Sequence, residues 1–182
     1  QGFFNFPVDH LTAMPTLADY FKEKNVQNIV AISPDVGRVK TVKKFADRVG
    51  GSLAILHKGR PEHNVAQITQ IVGEVEGKNA IMVDDMIDTG GTLIRAAETL
   101  KMNGVMDVYA CATHPILSGS AAESLQKSSI KEVVVTNTVP VPPEKRLSKF
   151  KILSVAPLFA KTIQNVYEDQ SVSEIFKGDE QV

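Results

Sequence analysis

The chain has a single cysteine, no tryptophan and only 6% aromatic residues among its 182 positions. A lone cysteine excludes an internal disulfide, and Cys111 sits inside the apolar run Val108 to Ala112, where it reads as a buried strand position. That usage fits a reducing compartment, so a cytoplasmic location is expected. No uninterrupted apolar run approaches the ~20 residues that a membrane helix needs. No signal peptide is visible, and no segment repeats or falls to low complexity. Net charge is also missing. At a formal value of -1 there is no global field to recruit nucleic acid or an anionic membrane, and neither is expected as a partner. An initial methionine is lacking too, so the chain, starting at Gln1, reads as a processed product or a piece of something longer.

What is present is ordinary for a globular protein, with 43% hydrophobic and 23% charged residues. A chain of this length is expected to form about one domain and to bury roughly 70% of its unfolded surface. Short apolar runs alternate with helical spacing. Strands are expected at Asn28 to Ile32, Ser52 to Leu56, Ala80 to Val83, Val108 to Ala112, Val133 to Thr136 and Ile152 to Val155. Helices are expected at Val39 to Val49, stopped by Gly50-Gly51, at Thr92 to Met102 with Gly104 just beyond its end, at Ser120 to Lys127, and from Pro157 to Tyr167. The stretch His57 to Asn64 is polar and broken by Gly59 and Pro61. This alternation predicts an α/β fold, a parallel sheet with helices on both faces. Ligands of such sheets sit beyond the carboxyl ends of the strands.

The most specific segment is Ile81 to Thr92, in which an apolar strand delivers Asp84 and Asp85 and then Asp88-Thr89-Gly90-Gly91-Thr92 opens a helix. Glycines let the backbone approach a ligand, and a helix start with inward N–H groups favours a phosphate. Thr89 and Thr92 add hydroxyl donors. The two carboxylates can accept hydrogen bonds from the vicinal hydroxyls of a sugar. The reading is a phosphate cradle beside a diol clamp. A second loop, Ser33-Pro34-Asp35-Val36-Gly37-Arg38, also follows a strand, and Asp35 offers a hard oxygen ligand suited to Mg²⁺. In a third, Lys58 and Arg60 flank Gly59, as a lid over phosphates requires, although charged loops of this kind are commonly just solvated. His57 and His63 receive no role. Thr113-His114 follows a strand and edges the site, with a structural role for His114 at least as well supported as a catalytic one.

The segment Val83 to Thr92 resembles the ribose-phosphate loop shared by type I phosphoribosyltransferases and ribose-phosphate diphosphokinases. Gln1 to Phe4, Pro7 to Leu11, Ser33 to Asp35, Val108 to Ala110, Thr113-His114, Val134 to Thr138 and Gln170 to Ser173 resemble the diphosphokinases in order, from Gln1 to about Phe176. The resemblance implies a type I phosphoribosyltransferase-like sheet and transfer of the diphosphoryl group of ATP to the anomeric hydroxyl of ribose 5-phosphate. The products would be phosphoribosyl diphosphate and AMP. It further implies that Asp35, Val36, Gly37 and Arg38 hold the diphosphate, that Asp35 helps bind Mg²⁺, and that Lys58 and Arg60 stabilise the transferring group. One departure stands out: Arg38 replaces the family's usual glycine, and its side chain either crowds the diphosphate or adds a cation to it.

Gln1, Asp9, Ser171, Ser173 and Phe176 match positions at or near an allosteric phosphate or ADP site between subunits, with a surface tail docked on a neighbour as the equal alternative. Family members are about twice as long as this chain and assemble as homo-oligomers, often hexamers. Residues 1–177 are therefore expected to be the C-terminal ribose-5-phosphate-binding domain, with 178–182 a frayed tail and the ATP half absent. Such a piece would turn over poorly alone and would form dimers. A nucleobase phosphoribosyltransferase and a non-catalytic regulatory homologue of the synthetase are the competing readings.

Overall fold

The apolar runs become strands that are buried on both faces. The computed structural model describes residues 3–58 and 69–176. In chain order it contains α1 (Met14–Glu23), β1 (Ile29–Ser33), α2 (Val39–Val49), β2 (Ser52–Lys58), β3 (Thr69–Val72), β4 (Asn79–Ile87) and α3 (Gly91–Met102). These are followed by β5 (Val108–Pro115), α4 (Ala121–Lys127), β6 (Glu132–Thr136), β7 (Phe150–Leu153) and α5 (Ala156–Tyr167). Within the strands, alternate side chains serve different cores. Val30, Ile32, Ala80, Met82, Val108 and Ala110 pack with Leu93, Ala97 and Leu100 of α3 and with Leu125 of α4. Ile29, Ala31, Ile81, Val83, Tyr109 and Cys111 pack with Leu17 and Phe21 of α1 and with Val42 and Phe45 of α2. Burial on both faces explains why these strands read as continuous apolar runs. It also pushes the Cys111 thiol far above its ordinary pKa.

One seven-stranded sheet has the order β3-β2-β1-β4-β5-β6-β7. Every neighbouring pair is parallel except β2 with β3. The expected parallel sheet with helices on both faces is therefore present, with an added antiparallel edge. β3 has only four residues, too few for a periodic signal. His57 and Lys58, expected in a polar loop, instead end β2 and pair with Gln70 and Thr69. α1 was not expected. Its buried positions Met14, Leu17, Ala18 and Phe21 have helical spacing, while Pro15 reads as a breaker but lies in the first turn, where it is tolerated. The helix Val39 to Val49 agrees at both ends, and Gly50 closes it at φ 69°.

β1 has β2 on one side and β4 on the other, so the connections leave the carboxyl ends of β1 and β4 in opposite directions. The crevice at such a switch point is where open α/β sheets bind ligands. Ser33 ends β1 there, and Asp84 and Asp85 lie near the end of β4.

Candidate ribose-phosphate site

β4 runs further than its apolar stretch. Pairing with β5 continues through Asp84 with Ala112, Met86 with His114 and Ile87 with Pro115. The two aspartates are thus strand residues, and the expected Asp84 to Thr92 loop shrinks to residues 88–90. Aspartate is disfavoured in strands, which is why the sequence reading ended the strand at Val83. Successive strand side chains normally point to opposite faces. Here each carboxylate folds along the backbone: Asp84 Oδ1 accepts from the Asp85 N–H at 2.8 Å, and Asp85 Oδ1 accepts from the Met86 N–H at 2.8 Å.

One guanidinium reaches both. Arg38 Nε lies 3.3 Å from Asp84 Oδ1, and Arg38 Nη2 lies 2.5 Å from Asp85 Oδ2. Arg38 precedes α2, and its N–H donates to Asp35 Oδ1 at 3.1 Å, closing a short 3-10 turn over Val36–Arg38. The Ser33 hydroxyl donates to the Asp35 carbonyl at 2.6 Å. The loop after β1 is therefore folded on itself and tied by Arg38 to the end of β4. Asp35, Val36 and Gly37 are exposed.

Electrostatics separate the carboxyls. Burial raises the pKa of Asp84, helped by the neighbouring Asp85 and opposed by the Asp85 N–H and by Arg38. Burial also works to raise that of Asp85, but the hydrogen bond and charge of Arg38, with the contacts to Asp84 and to the Met86 N–H, together outweigh it and hold Asp85 below the ordinary range. For Arg38, burial works against the charge, and the contacts with Asp85, Asp84 and Asp35 more than offset it.

After Ile87 the chain bends at exposed Asp88 and Thr89 and enters α3 through Gly90, which has φ 73°. No side chain caps α3, so the first-turn N–H groups face outward without a side-chain acceptor. The bend is braced from the segment after β5, where the N–H groups of Leu117 and Ser118 donate to the carbonyls of Ile87 and Asp88. Of the two glycines expected to let the backbone approach a ligand, Gly90 is required for a different contact, with α4. A Cβ there would meet Leu125 at 3.1 Å, whereas one at Gly91 would meet only Arg95 Nη1, at 3.4 Å.

Asp84, Asp85 and Arg38 line a cavity of about 400 Å³ with Thr12, Thr41 and Thr113. Thr113 was expected to edge the site and does. Thr12, Thr41 and the two lysines Lys40 and Lys44, which also line it, were missed. Their only signal was that Lys40 and Lys44 stand four apart on α2, away from its apolar stripe. Thr92 lines a separate cavity of about 240 Å³ with Pro34, Arg95 and Thr99, on the α3 side. Thr92 and the aspartate pair thus line different cavities. His114 Nδ1 lies 2.9 Å from Thr138 Oγ1, which also donates to the Thr113 carbonyl. Asp9, Ser171 and Ser173 are exposed, and the Ser171 carbonyl accepts from Asn165 Nδ2 at 2.8 Å. Gln1, Arg60, the side chains of Lys58 and Phe176, and the tail 178–182 lie outside the described residues.

Residues 60–177 match the family model of the phosphoribosyl synthetase-associated domain. The chain belongs to that family. A ribose-phosphate pyrophosphokinase of Bacillus subtilis (strain 168) is 52% identical over 176 residues, which cover 97% of this chain and 56% of that protein. A phosphoribosylpyrophosphate synthetase structure from Mycobacterium smegmatis matches with a TM-score of 0.83 at 43% identity, covering 93% of this chain and 55% of that one. An orotate phosphoribosyltransferase from Aeropyrum pernix, at 17% identity and a TM-score of 0.54, covers 84% of this chain and 75% of that one and shares the fold alone. The fold is accordingly the phosphoribosyltransferase-like one expected. The chain spans 56% of the length of the curated relative it matches.

Proposed function

We propose that this chain supplies the ribose 5-phosphate and diphosphate portion of a ribose-phosphate diphosphokinase. The observation that carries the proposal is the placement of Asp84 and Asp85 at the end of β4, beside the loop after β1, at the sheet's switch point. Similarity to the synthetases along nearly the whole chain supports it. In this reading Asp84 and Asp85 accept hydrogen bonds from the ribose diol. Backbone N–H groups of residues 88–92 hold the 5-phosphate, together with the hydroxyls of Thr89 and Thr92. Asp35, Val36, Gly37 and Arg38 face the diphosphate, while Lys58 and Arg60 stabilise the transferring group.

The anomeric hydroxyl attacks the β-phosphorus of ATP in line, and AMP departs. Such transfers rely on positioning and on fixed charge at the developing oxyanions. Asp35 is exposed beside this loop, and Mg²⁺ typically takes one or two carboxylates plus substrate phosphates, so a single aspartate fits. Mg²⁺ held by Asp35 would offset charge on the diphosphoryl oxygens. Gln1, Asp9, Ser171, Ser173 and Phe176 are proposed for an effector phosphate or ADP between subunits of a homo-oligomer, a hexamer for the complete enzyme and a dimer for this portion.

The test pairs this chain with a complete ATP-binding half and supplies ATP and ribose 5-phosphate. Release of AMP with formation of phosphoribosyl diphosphate is expected. Consumption of phosphoribosyl diphosphate with a nucleobase, and no AMP release, would overturn the reading in favour of a transferase. Absence of either reaction would favour a regulatory homologue.

A further inference from the structure

Three of the four carboxylate oxygens that the clamp offers a ribose diol already have partners. Of the four carboxylate oxygens of Asp84 and Asp85, Asp84 Oδ1 and Asp85 Oδ1 take backbone N–H groups. Arg38 takes Asp85 Oδ2 and shares Asp84 Oδ1. A sugar hydroxyl donating to Asp85 Oδ2 meets Arg38 Nη2 already held at 2.5 Å from that oxygen. Resting on the ribose-clamp reading above, we propose that Arg38 is a latch on the clamp: the guanidinium and the vicinal diol of the sugar compete for Asp84 and Asp85.

Three observations make the latch able to open. Its side chain is one-third exposed, so the guanidinium has water on one side and room to leave. Its backbone is fixed independently of the side chain, by the N–H donated to Asp35 Oδ1 and by the start of α2. The carboxylates, too, keep their orientation without it, because each is held by the N–H of the following residue. Removing the guanidinium therefore leaves a clamp of unchanged shape with Asp85 Oδ2 free and Asp84 Oδ1 no longer shared. When the diol enters, the released cation remains in the cavity that Asp84 and Asp85 line, beside the loop that Asp35 folds. Arg38 thus sets the affinity for ligands with two adjacent hydroxyls, which must compete with it for the carboxylates, and leaves ligands that do not engage the clamp unaffected.

The test is calorimetric titration of the whole chain at pH 8. The ligands are ribose 5-phosphate and 2-deoxyribose 5-phosphate, which has no 2,3-diol. Partly exposed pairs of this kind are weak, so Arg38→Gly is expected to bind ribose 5-phosphate about three- to tenfold more tightly than the wild type. Affinity for the deoxy sugar should stay within about twofold, since that ligand does not contest the clamp. Arg38→Lys, which retains the charge but not the fork, should fall between wild type and Arg38→Gly, and it provides a second variant should glycine disturb the start of α2. Unchanged or weaker binding of ribose 5-phosphate by Arg38→Gly, or equal tightening for both sugars, would overturn the latch. The site reading fails separately: it falls if an Asp84→Ala, Asp85→Ala double variant binds ribose 5-phosphate as the wild type does.

Discussion

Gly90 joins β4 to α3 at φ 73°, with the Leu125 side chain 3.1 Å from the place a Cβ would take. An alanine there meets both the left-handed backbone penalty and the contact with α4. Gly90→Ala is therefore expected to destabilise the chain by about 1–3 kcal/mol, read as a lower urea midpoint at unchanged slope. Gly91→Ala, which meets only a flexible arginine tip, should move the midpoint much less. Asp84 and Asp85 make a second residue-scale prediction. The folded pKa of Asp85 is depressed, so its contribution to stability is present above its unfolded pKa and is lost as the pH falls through its folded value. Asp84 is shifted the other way, chiefly by burial, so its ionisation opposes folding and protonation in acid relieves the cost. Carboxyl NMR should find Asp85 titrating below Asp84, and Arg38→Gly should move Asp85 upward. The stability difference between wild type and that variant should shrink as the pH falls through the titration of Asp85. Two carboxyls titrating together and indifferent to Arg38 would contradict this assignment.

At the scale of elements, α1 is held by Phe21, fully buried with its ring edge-on to Phe45 at 6.1 Å and to Tyr109 at 5.8 Å. Tyr20 adds a tie to β6, its hydroxyl donating to Glu132 Oε1 at 2.6 Å. Phe21→Ala is expected to cost about 3–5 kcal/mol in chemical denaturation, and a loss below ~1 kcal/mol would show that α1 contributes little to the core. Because α1 also lines the clamp cavity through Met14 and Leu17, the same variant should weaken sugar-phosphate binding more than its stability loss alone implies. The elements most legible in the sequence were those with a long period and clear stops, such as α2 between Val39 and Gly50. The polar ends of β4 and β5 were not legible, because strand composition fails at Asp84 and Asp85 although pairing between the two strands continues. β3 depends on a partner, β2, that no local pattern announces. The clamp aspartates were legible from residue chemistry. The two loops were legible as neighbours, since both follow strands of one parallel sheet, but the bridge from the Arg38 side chain to Asp84 and Asp85 was not.

At the scale of the whole molecule, the strand order brings two sequence-distant pieces to one place. The loop after β1, which runs into α2, meets the end of β4 where the connections diverge. The alternating apolar cores hold them there, since β1, β4 and β5 are gripped by helices on both faces. This frame carries no chemistry itself, and its likeness to a phosphoribosyltransferase at 17% identity speaks only to the frame. In the proposed function, the chemistry enters through the polar residues at its carboxyl edge, and foremost through the aspartate pair. The most direct measurement is therefore titration of ribose 5-phosphate into the wild-type chain and into the Asp84→Ala, Asp85→Ala double variant. With two charged acceptors lost, affinity should fall roughly 100-fold or more while the fold persists by circular dichroism. Equal affinity in the two proteins would contradict the account at its foundation.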